Sequence, residues 1–423
     1  MKKVGILLTI AILIGLAACT PEVIDGMVVA SGSILQSDKA RLAAPEVPSA
    51  DQNTFTDGNS VFAFDLYRQL KGEDGNLFYS SYSISAALAM TYAGAKGTTA
   101  EQMADVMYYD LPQERLHPAF NWLERELNSR GEGGDAEAFR LSVVNAIWGQ
   151  KDYKFRVTFL DTLGENYGAG LRIVNFGDTK KSRLIINDWV SQQTEGKIEE
   201  VIGTDSLTSD TRLVLTNAIY FKAAWLHKFM LSDTKDGPFY LLDGGNVTVP
   251  MMHQTMIFGY MEGDGYRAVE LPYKGEEFSM LVLLPDEGSF TAFEDALDSQ
   301  TLAAVISQLE IRNTVVTMPR FQFESEFDLK DVLSALGMAD AFDADNANFS
   351  GMTDIEDLWI DNVTHKAFVS VDENGTEASA ATAATMVASL PGKITMDRPF
   401  IFIIRDIETN SILFMGRVLN PAA

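Results

Sequence analysis

Apolar residues recur at helical spacing in the first part of the chain and in short continuous runs in the second part. Val61, Phe62, Leu66 and Leu70 fall on one side of a helix, so they predict an amphipathic helix at the start of the folded domain. The Ala-rich segment 83–92 predicts a helix that is buried on all sides. Together these segments predict a helical first part.

Further helices are predicted by caps and by spacing. Thr98, with Glu101 three residues later, resembles a capping box that begins a helix at Thr98. The patterns at 293–309 and 329–336 also have helical spacing. Both segments are predicted to be helical.

Four apolar runs in the second part predict buried strands: 212–220, 279–284, 314–318 and 400–404. The second of them ends at Pro285, which cannot continue a central strand. Helices dominate the first part and strands the second, so the pattern favours an α+β fold over alternating βαβ units.

The first residues differ in kind from this domain. Lys2 and Lys3 precede an apolar run, 4–18, that is short for a membrane span and resembles a signal peptide at residues 1–18. The run ends in small residues before Cys19, as in a lipobox, where the cysteine is lipidated. A plain secretory signal with a chance cysteine, or an uncleaved anchor, would give a similar run.

Residues 19–57 contain scattered Pro, Gly, Ser and Asp without a clear period, so they predict a flexible tether before a domain at 58–423. With a lipid on Cys19, the protein would belong to the cell envelope. Thr20, rather than Asp, favours the outer membrane; the leaflet stays open, and a secreted protein is the alternative.

The net charge and the absence of enzyme motifs exclude several classes of function. The formal net charge of −26 makes nucleic acid a poor partner. One cysteine permits no intramolecular disulfide, and no metal or other cofactor is expected. No nucleophile elbow, zinc-protease motif, P-loop or dinucleotide fingerprint is present, so the sequence does not predict an enzyme.

The segment after Gly375 is almost free of charge and bulk. If it is extended, its side chains alternate between two faces. One face carries no charge and is formed by Thr376, Ala378, Ala380, Thr382, Ala384 and Met386. The only charge of the segment, Glu377, falls on the other face. This segment could therefore enter a β-sheet as an added strand, with Gly375 as a flexible hinge.

Several motifs in order resemble the serpin family from about residue 59 to residue 421. They are the segments 76–90, 94–97, 215–225, 362–377, 397–402 and 412–418. The resemblance implies a serpin fold, with helices around a large mixed main sheet, smaller sheets, and an exposed reactive-centre loop at about 373–397. It also implies a monomer whose partner is a serine protease.

The resemblance implies a suicide-substrate mechanism. The protease attacks the loop, forms an acyl-enzyme, and is trapped when the cleaved loop inserts into the main sheet. The implied hinge residues are Glu373, Gly375, Thr376, Glu377, Ala378, Ala380 and Thr382. A polar shutter cluster and an entry-point tryptophan are implied at Ser80, Ser83, Asn217, His365 and Trp225. The alternative is a non-inhibitory serpin-fold protein that binds a partner at the surface.

The family's usual spacing from the hinge glutamate places the cleaved bond at Ser389–Leu390. The alternatives that stay open are the preceding bonds, formed by Met386, Val387, Ala388 and Ser389. Val387, Ala388 and Ser389 are small or aliphatic, whereas a trypsin-like protease needs a cation. Elastase-like or subtilisin-like targets are therefore expected, and papain-like cysteine proteases stay possible. Met386 or Leu390 would suit a chymotrypsin-like enzyme.

Overall fold

The computed structural model describes residues 32–130, 139–354, 357–376 and 391–423. It has helices packed around two mixed sheets, which confirms the α+β prediction. Within the described ranges, none of the helices combines the length and apolar character needed to cross a membrane.

The helices, labelled in chain order, are α1 (Ser49–Leu70), α2 (Ser81–Tyr92), α3 (Gly97–Met107), α4 (Gln113–Ser129), α5 (Val157–Tyr167), α6 (Thr179–Gln193), α7 (Phe290–Ala296), α8 (Ser299–Gln308) and α9 (Lys330–Leu336). The predicted helix at 83–92 is confirmed as α2, and every residue of α2 is buried. The predicted helix at 329–336 is confirmed as α9.

The strands of the first half are β1 (Ile34–Leu35), β2 (Leu77–Tyr79), β3 (Phe139–Gln150), β4 (Leu171–Val174), β5 (Leu213–Ala224) and β6 (Lys235–Tyr240). Those that follow are β7 (Asn246–Gly263), β8 (Tyr266–Pro272), β9 (Phe278–Pro285), β10 (Glu310–Pro319), β11 (Phe321–Asp328), β12 (Ile360–Val371), β13 (Gly375–Thr376), β14 (Gly392–Thr395), β15 (Phe400–Asp406) and β16 (Ile412–Val418). The four predicted strands are confirmed as β5, β9, β10 and β15. The predicted burial is confirmed for β5, β9 and β15, whereas in β10 Val315 and Thr317 are only partly buried.

The helix predicted near Thr98 is confirmed as α3, but its predicted cap was wrong. The helix near Thr98 begins earlier, at Gly97, and Lys96 precedes it without a side-chain cap. The helical prediction for 293–309 is confirmed, but the segment is divided between α7 and α8. Leu297 is extended, and Asp298 caps α8 by accepting a hydrogen bond from the Thr301 backbone N–H at 2.7 Å. A good N-cap in mid-segment begins a new helix instead of continuing the old one.

The main sheet has the strand order β1-β4-β3-β5-β12-β11, and β13 pairs with β5. Its central pair, β5 and β12, is parallel, whereas β3 with β5 and β11 with β12 are antiparallel. The second sheet has the order β14-β10-β7-β8-β9-β15-β16-β2, with β6 on β7. Helix α2 contacts β3 and β5 of the main sheet and β16 of the second, so it lies between the two sheets.

The tether prediction for 19–57 was wrong for residues 32–57. Helix α1 begins at Ser49, and Phe55 in its second turn is buried. Upstream, β1 extends the main sheet by pairing with β4. The prediction failed because this segment is held mainly by backbone hydrogen bonds and polar contacts, which leave no apolar period in the sequence. Residues 1–31, including Cys19, lie outside the described residues.

Candidate functional site: the seam of the main sheet and its hinge

The seam between β5 and β12 is closed over most of its length. Paired positions run from Ile360 opposite Leu213 to Phe368 opposite Tyr220. Beyond Tyr220, the partner of β5 on this side is β13, which runs antiparallel to it. The chain therefore leaves the end of β12, turns, and returns along the last residues of β5. We call this end of the seam its head.

The turn into β13 requires a glycine. Gly375 has a φ of +136°, which side-chain-bearing residues rarely adopt. A Cβ atom at this position would also lie 2.2 Å from the carbonyl oxygen of Ala223. The Asp372 carboxylate closes the turn by accepting a hydrogen bond from the Asn374 backbone N–H at 2.7 Å. The predicted hinge glycine thus lies where the chain enters the sheet.

Glu373 links this turn to Thr234 and to Arg320, which lies between β10 and β11. Its carboxylate accepts hydrogen bonds from the Thr234 hydroxyl at 2.7 Å and from the Arg320 guanidinium, 2.6 Å from each carboxylate oxygen. Burial alone would raise the pKa of Glu373, but these hydrogen bonds and the Arg320 charge outweigh it and lower the pKa. Glu373 is therefore ionised at neutral pH.

Trp225 lies against the same turn. Its indole N–H donates to the Asp372 carbonyl at 3.0 Å, and its backbone N–H donates to the Asn374 carbonyl at 2.9 Å. The indole stacks on Tyr273 with 4.6 Å between ring centroids and 5° between planes. The predicted entry-point tryptophan therefore contacts the backbone on which the hinge turns.

Below the hinge, a hydrogen bond crosses the seam between two facing side chains. His365 of β12 is opposite Asn217 of β5, and both are fully buried. The Ser80 backbone N–H donates to His365 Nε2 at 3.2 Å, so Nδ1 carries the proton and donates to the Asn217 side-chain oxygen. Burial lowers the His365 pKa to about 3, and the ring is neutral.

The hydrogen bonds continue from Asn217 to β3 and α2. Its amide donates to the Ser83 hydroxyl at 2.5 Å and to the side-chain oxygen of Asn145, which is opposite Asn217 on β3. The Asn145 amide in turn donates to the Ser83 carbonyl at 3.2 Å. We call this set the central polar cluster; its members are Ser80, Ser83, Asn145, Asn217 and His365.

Four members of the cluster were expected from the sequence, and the structure brings all four together. Asn145 was missed, although it is the only amide in the otherwise largely apolar strand segment 143–148, a signal that could have indicated it. Arg320 and Thr234 were missed as well. They follow β10 and a short 3-10 helix, and their sequence neighbourhoods carry no comparable signal.

The central polar cluster stabilises the closed arrangement, in which β5 and β12 are paired. Its hydrogen bonds link β3, β5, β12 and the N-terminus of α2, where the Ser80 hydroxyl caps the helix. Separating β5 from β12 would break the bond between His365 and Asn217 and leave buried polar groups without partners. Such groups cost about 1–3 kcal/mol each, so opening requires a replacement partner between the strands.

The remaining predicted site residues lie outside the described residues. They are Cys19, the later hinge positions Glu377, Ala378, Ala380 and Thr382, and the reactive-bond candidates Met386, Val387, Ala388, Ser389 and Leu390. For Thr376 the backbone position in β13 is described. In the described part of the chain, no group of three or more His, Cys, Asp or Glu is placed to hold a metal ion.

Known proteins share this architecture. A family model described as serpin (serine protease inhibitor) matches residues 57–421. The chain belongs to the serpin family. This is a family of protease inhibitors rather than of catalytic enzymes, and its fold is confirmed for this chain.

Individual serpins match over most of their length. An uncharacterized serpin-like protein of Thermococcus kodakarensis is 42% identical over 367 residues, covering 85% of this chain and 84% of that relative. The leukocyte elastase inhibitor A of Rattus norvegicus is 40% identical over 378 residues, covering 86% and 98%. The crystal structure of the thermophilic serpin tengpin in the native state has a TM-score of 0.81 at 26% identity, covering 92% and 100%.

Proposed function

We propose that this serpin inhibits serine endopeptidases as a suicide substrate. The protease serine oxygen attacks the carbonyl carbon of the cleaved residue, the peptide C–N bond breaks, and the leaving amine takes a proton from the protease histidine. The inhibitor remains joined to the protease as an ester. The freed loop then enters the seam between β5 and β12 and carries the ester-linked protease with it.

One observation carries this proposal: β13 already lies antiparallel on β5 at the head of the seam. Residues that follow Thr376 would extend β13 down the seam, between two strands that are parallel to each other. An inserted strand would be antiparallel to both, which is the more stable kind of pairing. The uncharged face of residues 376–386 suits burial against the sheet.

The target class follows from the candidate reactive bonds. Ser389–Leu390 is the favoured bond, and the residues before it are small and uncharged. An elastase-like or subtilisin-like pocket accepts such residues, whereas a trypsin-like pocket needs a cation. Relatives named leukocyte elastase inhibitor support the elastase-like class.

Two parallel incubations test the inhibitory function. The full chain is incubated with pancreatic elastase and with subtilisin, and products are separated on a denaturing gel. We expect a covalent complex with at least one protease, plus a small C-terminal fragment whose mass gives the cleaved bond. Cleavage within 386–390 without a complex, and without a rise in Tm after cleavage, would overturn the proposal and favour a non-inhibitory binding protein.

We also propose that Cys19 is lipidated and holds the protein in the cell envelope. The support is the charged start, the apolar run 4–18 and the small residues before the only cysteine of the chain. Growth with a radioactive fatty acid should label the wild-type protein, and Cys19→Ser should remove the label. Equal labelling of both proteins, or of neither, would contradict lipidation at Cys19.

A further inference from the structure

Residues 32–47, here called the N-terminal arm, are bound to one edge of the main sheet. The Gly32 backbone N–H donates to the Ile173 carbonyl at 2.6 Å, and the Ile173 N–H donates to the Ser33 carbonyl at 2.8 Å. Ile34 then pairs with Arg172 in antiparallel register. The arm therefore covers the β4 edge, which would otherwise present unpaired backbone groups.

Polar contacts hold the rest of the arm against α4 and α5. Arg41 makes a two-point contact with Glu124, at 3.2 and 2.9 Å, and its Nε donates to the Asn121 side-chain oxygen at 2.8 Å. The Asn121 amide donates to the Leu42 carbonyl at 3.0 Å, and the Leu42 N–H donates to the Glu165 carbonyl at 2.8 Å. Two-point arginine–carboxylate contacts are geometrically specific, so they position the arm as well as attract it.

Three glycines leave room for the arm. A Cβ atom at Gly170 would lie 2.5 Å from the Leu35 carbonyl oxygen. At Gly164 and Gly168 a Cβ atom would lie 3.1 Å from a side-chain atom of the arm. A side chain at Gly170 would meet backbone that cannot move aside without breaking the pairing of β1 with β4. This surface thus fits the arm at close range.

The first described residue of the arm, Gly32, lies at the end of the main sheet that is farther from the hinge, and we call this position the exit point. Gly32 lies beside Ile173 near the end of β4, and Val174 pairs with Gln150, the last residue of β3. The first residues of β5 lie at the same end of the sheet as the exit point. The hinge strand β13 pairs with the last residues of β5, at the opposite end. A strand of 12 residues spans about 36 Å, which separates the exit point from the hinge.

The reach of the preceding segment is limited. From Cys19 to Gly32 the chain can span at most about 45 Å, even fully extended. Turning the hinge end of the sheet toward a membrane would raise the exit point by about 36 Å, which would require nearly full extension of that segment. Holding a chain at full extension costs conformational entropy. With the exit point toward the membrane, no such extension is needed.

We infer that the N-terminal arm sets the orientation of the domain on the membrane: the exit end of the main sheet faces the lipid, and the hinge with its reactive loop faces away. This inference rests on the proposed lipidation of Cys19. It gives the arm a function that a free tether could not have. Without the arm contacts, the first fixed residue would lie near the start of α1 instead of at Gly32, and the greatest possible distance from it to Cys19 would roughly double.

The test measures energy transfer from each end of the sheet to the membrane. Because Cys19 is the only cysteine and would carry lipid, an introduced cysteine is the only site for a thiol-reactive dye. Ser209→Cys marks the exit end and Ser232→Cys marks the hinge end; both serines are exposed. Each lipidated protein is placed in vesicles that contain a headgroup-labelled acceptor lipid.

We expect the transfer efficiency from position 209 to be about twice that from position 232, given the roughly 36 Å between the two ends. Equal transfer from both positions, or stronger transfer from position 232, would overturn the inference. Dye labelling of the protein without an introduced cysteine would show that Cys19 is free, and the inference would then fall with its premise. Loss of protease trapping alone would leave it intact.

Two variants test whether the arm is the cause. Gly170→Val should displace the arm and remove the difference between the two dye positions. Gly72→Val is the matched control, because a Cβ atom there meets nothing closer than 3.6 Å, and the difference should remain. Arg41→Ala removes the contacts of the arm with Asn121 and Glu124. It should therefore reduce the difference in transfer efficiency between the two dye positions. An unchanged difference in Gly170→Val protein that remains folded by circular dichroism would overturn the inference.

Discussion

The two sheets of this serpin are built for different tasks. In the second sheet, β9, β15 and β16 are buried along their whole length, and their facing positions are mostly aliphatic or aromatic, such as Leu281 opposite Ile403. At the centre of the main sheet, Asn145, Asn217 and His365 face one another across β3, β5 and β12. The centre of the second sheet is packed with apolar side chains, whereas the centre of the main sheet also has side-chain hydrogen bonds across the seam.

This difference has a physical consequence. Apolar side-chain contact is non-directional and does not depend on particular donor and acceptor atoms. A buried hydrogen-bonded set is stable when all its groups have partners and costly when some lack them. In the proposed mechanism the main sheet has two favourable arrangements: the closed one, with β5 paired to β12, and an open one with a new strand between them. The hinge lies at the end of the seam where such a strand would begin.

The largest effect is expected from a charge on the buried face of the loop. Thr376→Arg should reduce the yield of covalent complex at least about tenfold, because an unpaired guanidinium in the sheet costs several kcal/mol and delays insertion. Cleavage of the loop should continue. The measurement is the ratio of complex to cleaved inhibitor on a denaturing gel after incubation with elastase.

The matched control is Glu377→Arg, which places the same side chain on the opposite face, where a charge already stands. It should retain most of the complex yield. If both variants lose trapping equally, charge near the hinge matters more than the face, and the alternation argument is wrong.

A smaller effect is expected from opening the central polar cluster. Asn217→Ala removes the link between His365 and the partners Ser83 and Asn145, leaving several buried groups unsatisfied. The free energy of unfolding should fall by about 2–4 kcal/mol. The uncleaved protein should also lose inhibitory activity during incubation at moderate temperature, because its seam opens more readily. Denaturant unfolding and timed activity assays measure the two effects.

Leu281→Ala in the second sheet sharpens the comparison. Leu281 is fully buried in β9, and its truncation should lower the free energy of unfolding by about 2–5 kcal/mol, which is comparable to the loss expected for Asn217→Ala. Inhibitory activity of the folded protein should nevertheless stay constant during the same incubation. If both variants lose activity at the same rate, general destabilisation explains the loss, and the seam has no special role.

The free energy of unfolding should fall as the pH is lowered from 7. Burial lowers the pKa of His365 to about 3 and of His117 to about 4, whereas unfolded histidine titrates near 6.5. Between these values the unfolded state binds more protons, so stability falls as pH falls, by about 1 kcal/mol per pH unit for each histidine. Denaturant unfolding at pH 7, 6 and 5 should show this slope.

His365→Gln should remove about half of that slope, and His253→Gln, at an exposed position, should leave it unchanged. A slope that is equal in wild type and His365→Gln would mean that the ring is protonated in the folded protein, contrary to its hydrogen bonds.

The sequence was most informative where side chains determine the structure. Apolar runs predicted the buried strands, and the motif at 362–377 led to both the hinge and His365. Asn145 was missed because its role depends on a facing strand distant in sequence, and Arg320 because its partner Glu373 is equally remote. The N-terminal arm was missed because the glycines that give it room lie in α5 and between α5 and β4, distant in sequence, and its own residues show no period.

The smallest effect is expected from the ion pair between Glu373 and Arg320 at the hinge. It tests whether the contacts at the head of the seam contribute as much to the free energy of unfolding as those at its centre. Glu373→Gln keeps an acceptor for Thr234 but loses the charge that faces Arg320. The Arg320 side chain is 42% exposed, so solvent screens the pair, and the loss should be about 0.5–1 kcal/mol at pH 7. This is less than expected for Asn217→Ala, which would place the stronger restraint at the centre of the seam.

The pH dependence of this loss identifies its origin. Because the folded pKa of Glu373 is lowered, its stabilisation is present above the usual glutamate pKa of about 4.3 and disappears as pH falls through the lowered value. Wild type and Glu373→Gln should therefore converge at acid pH, whereas Glu287→Gln, at an exposed turn, should match wild type throughout. A difference between Glu373→Gln and wild type that persists in acid would assign the loss to packing. The hinge turn would then be stabilised by packing rather than by the ion pair.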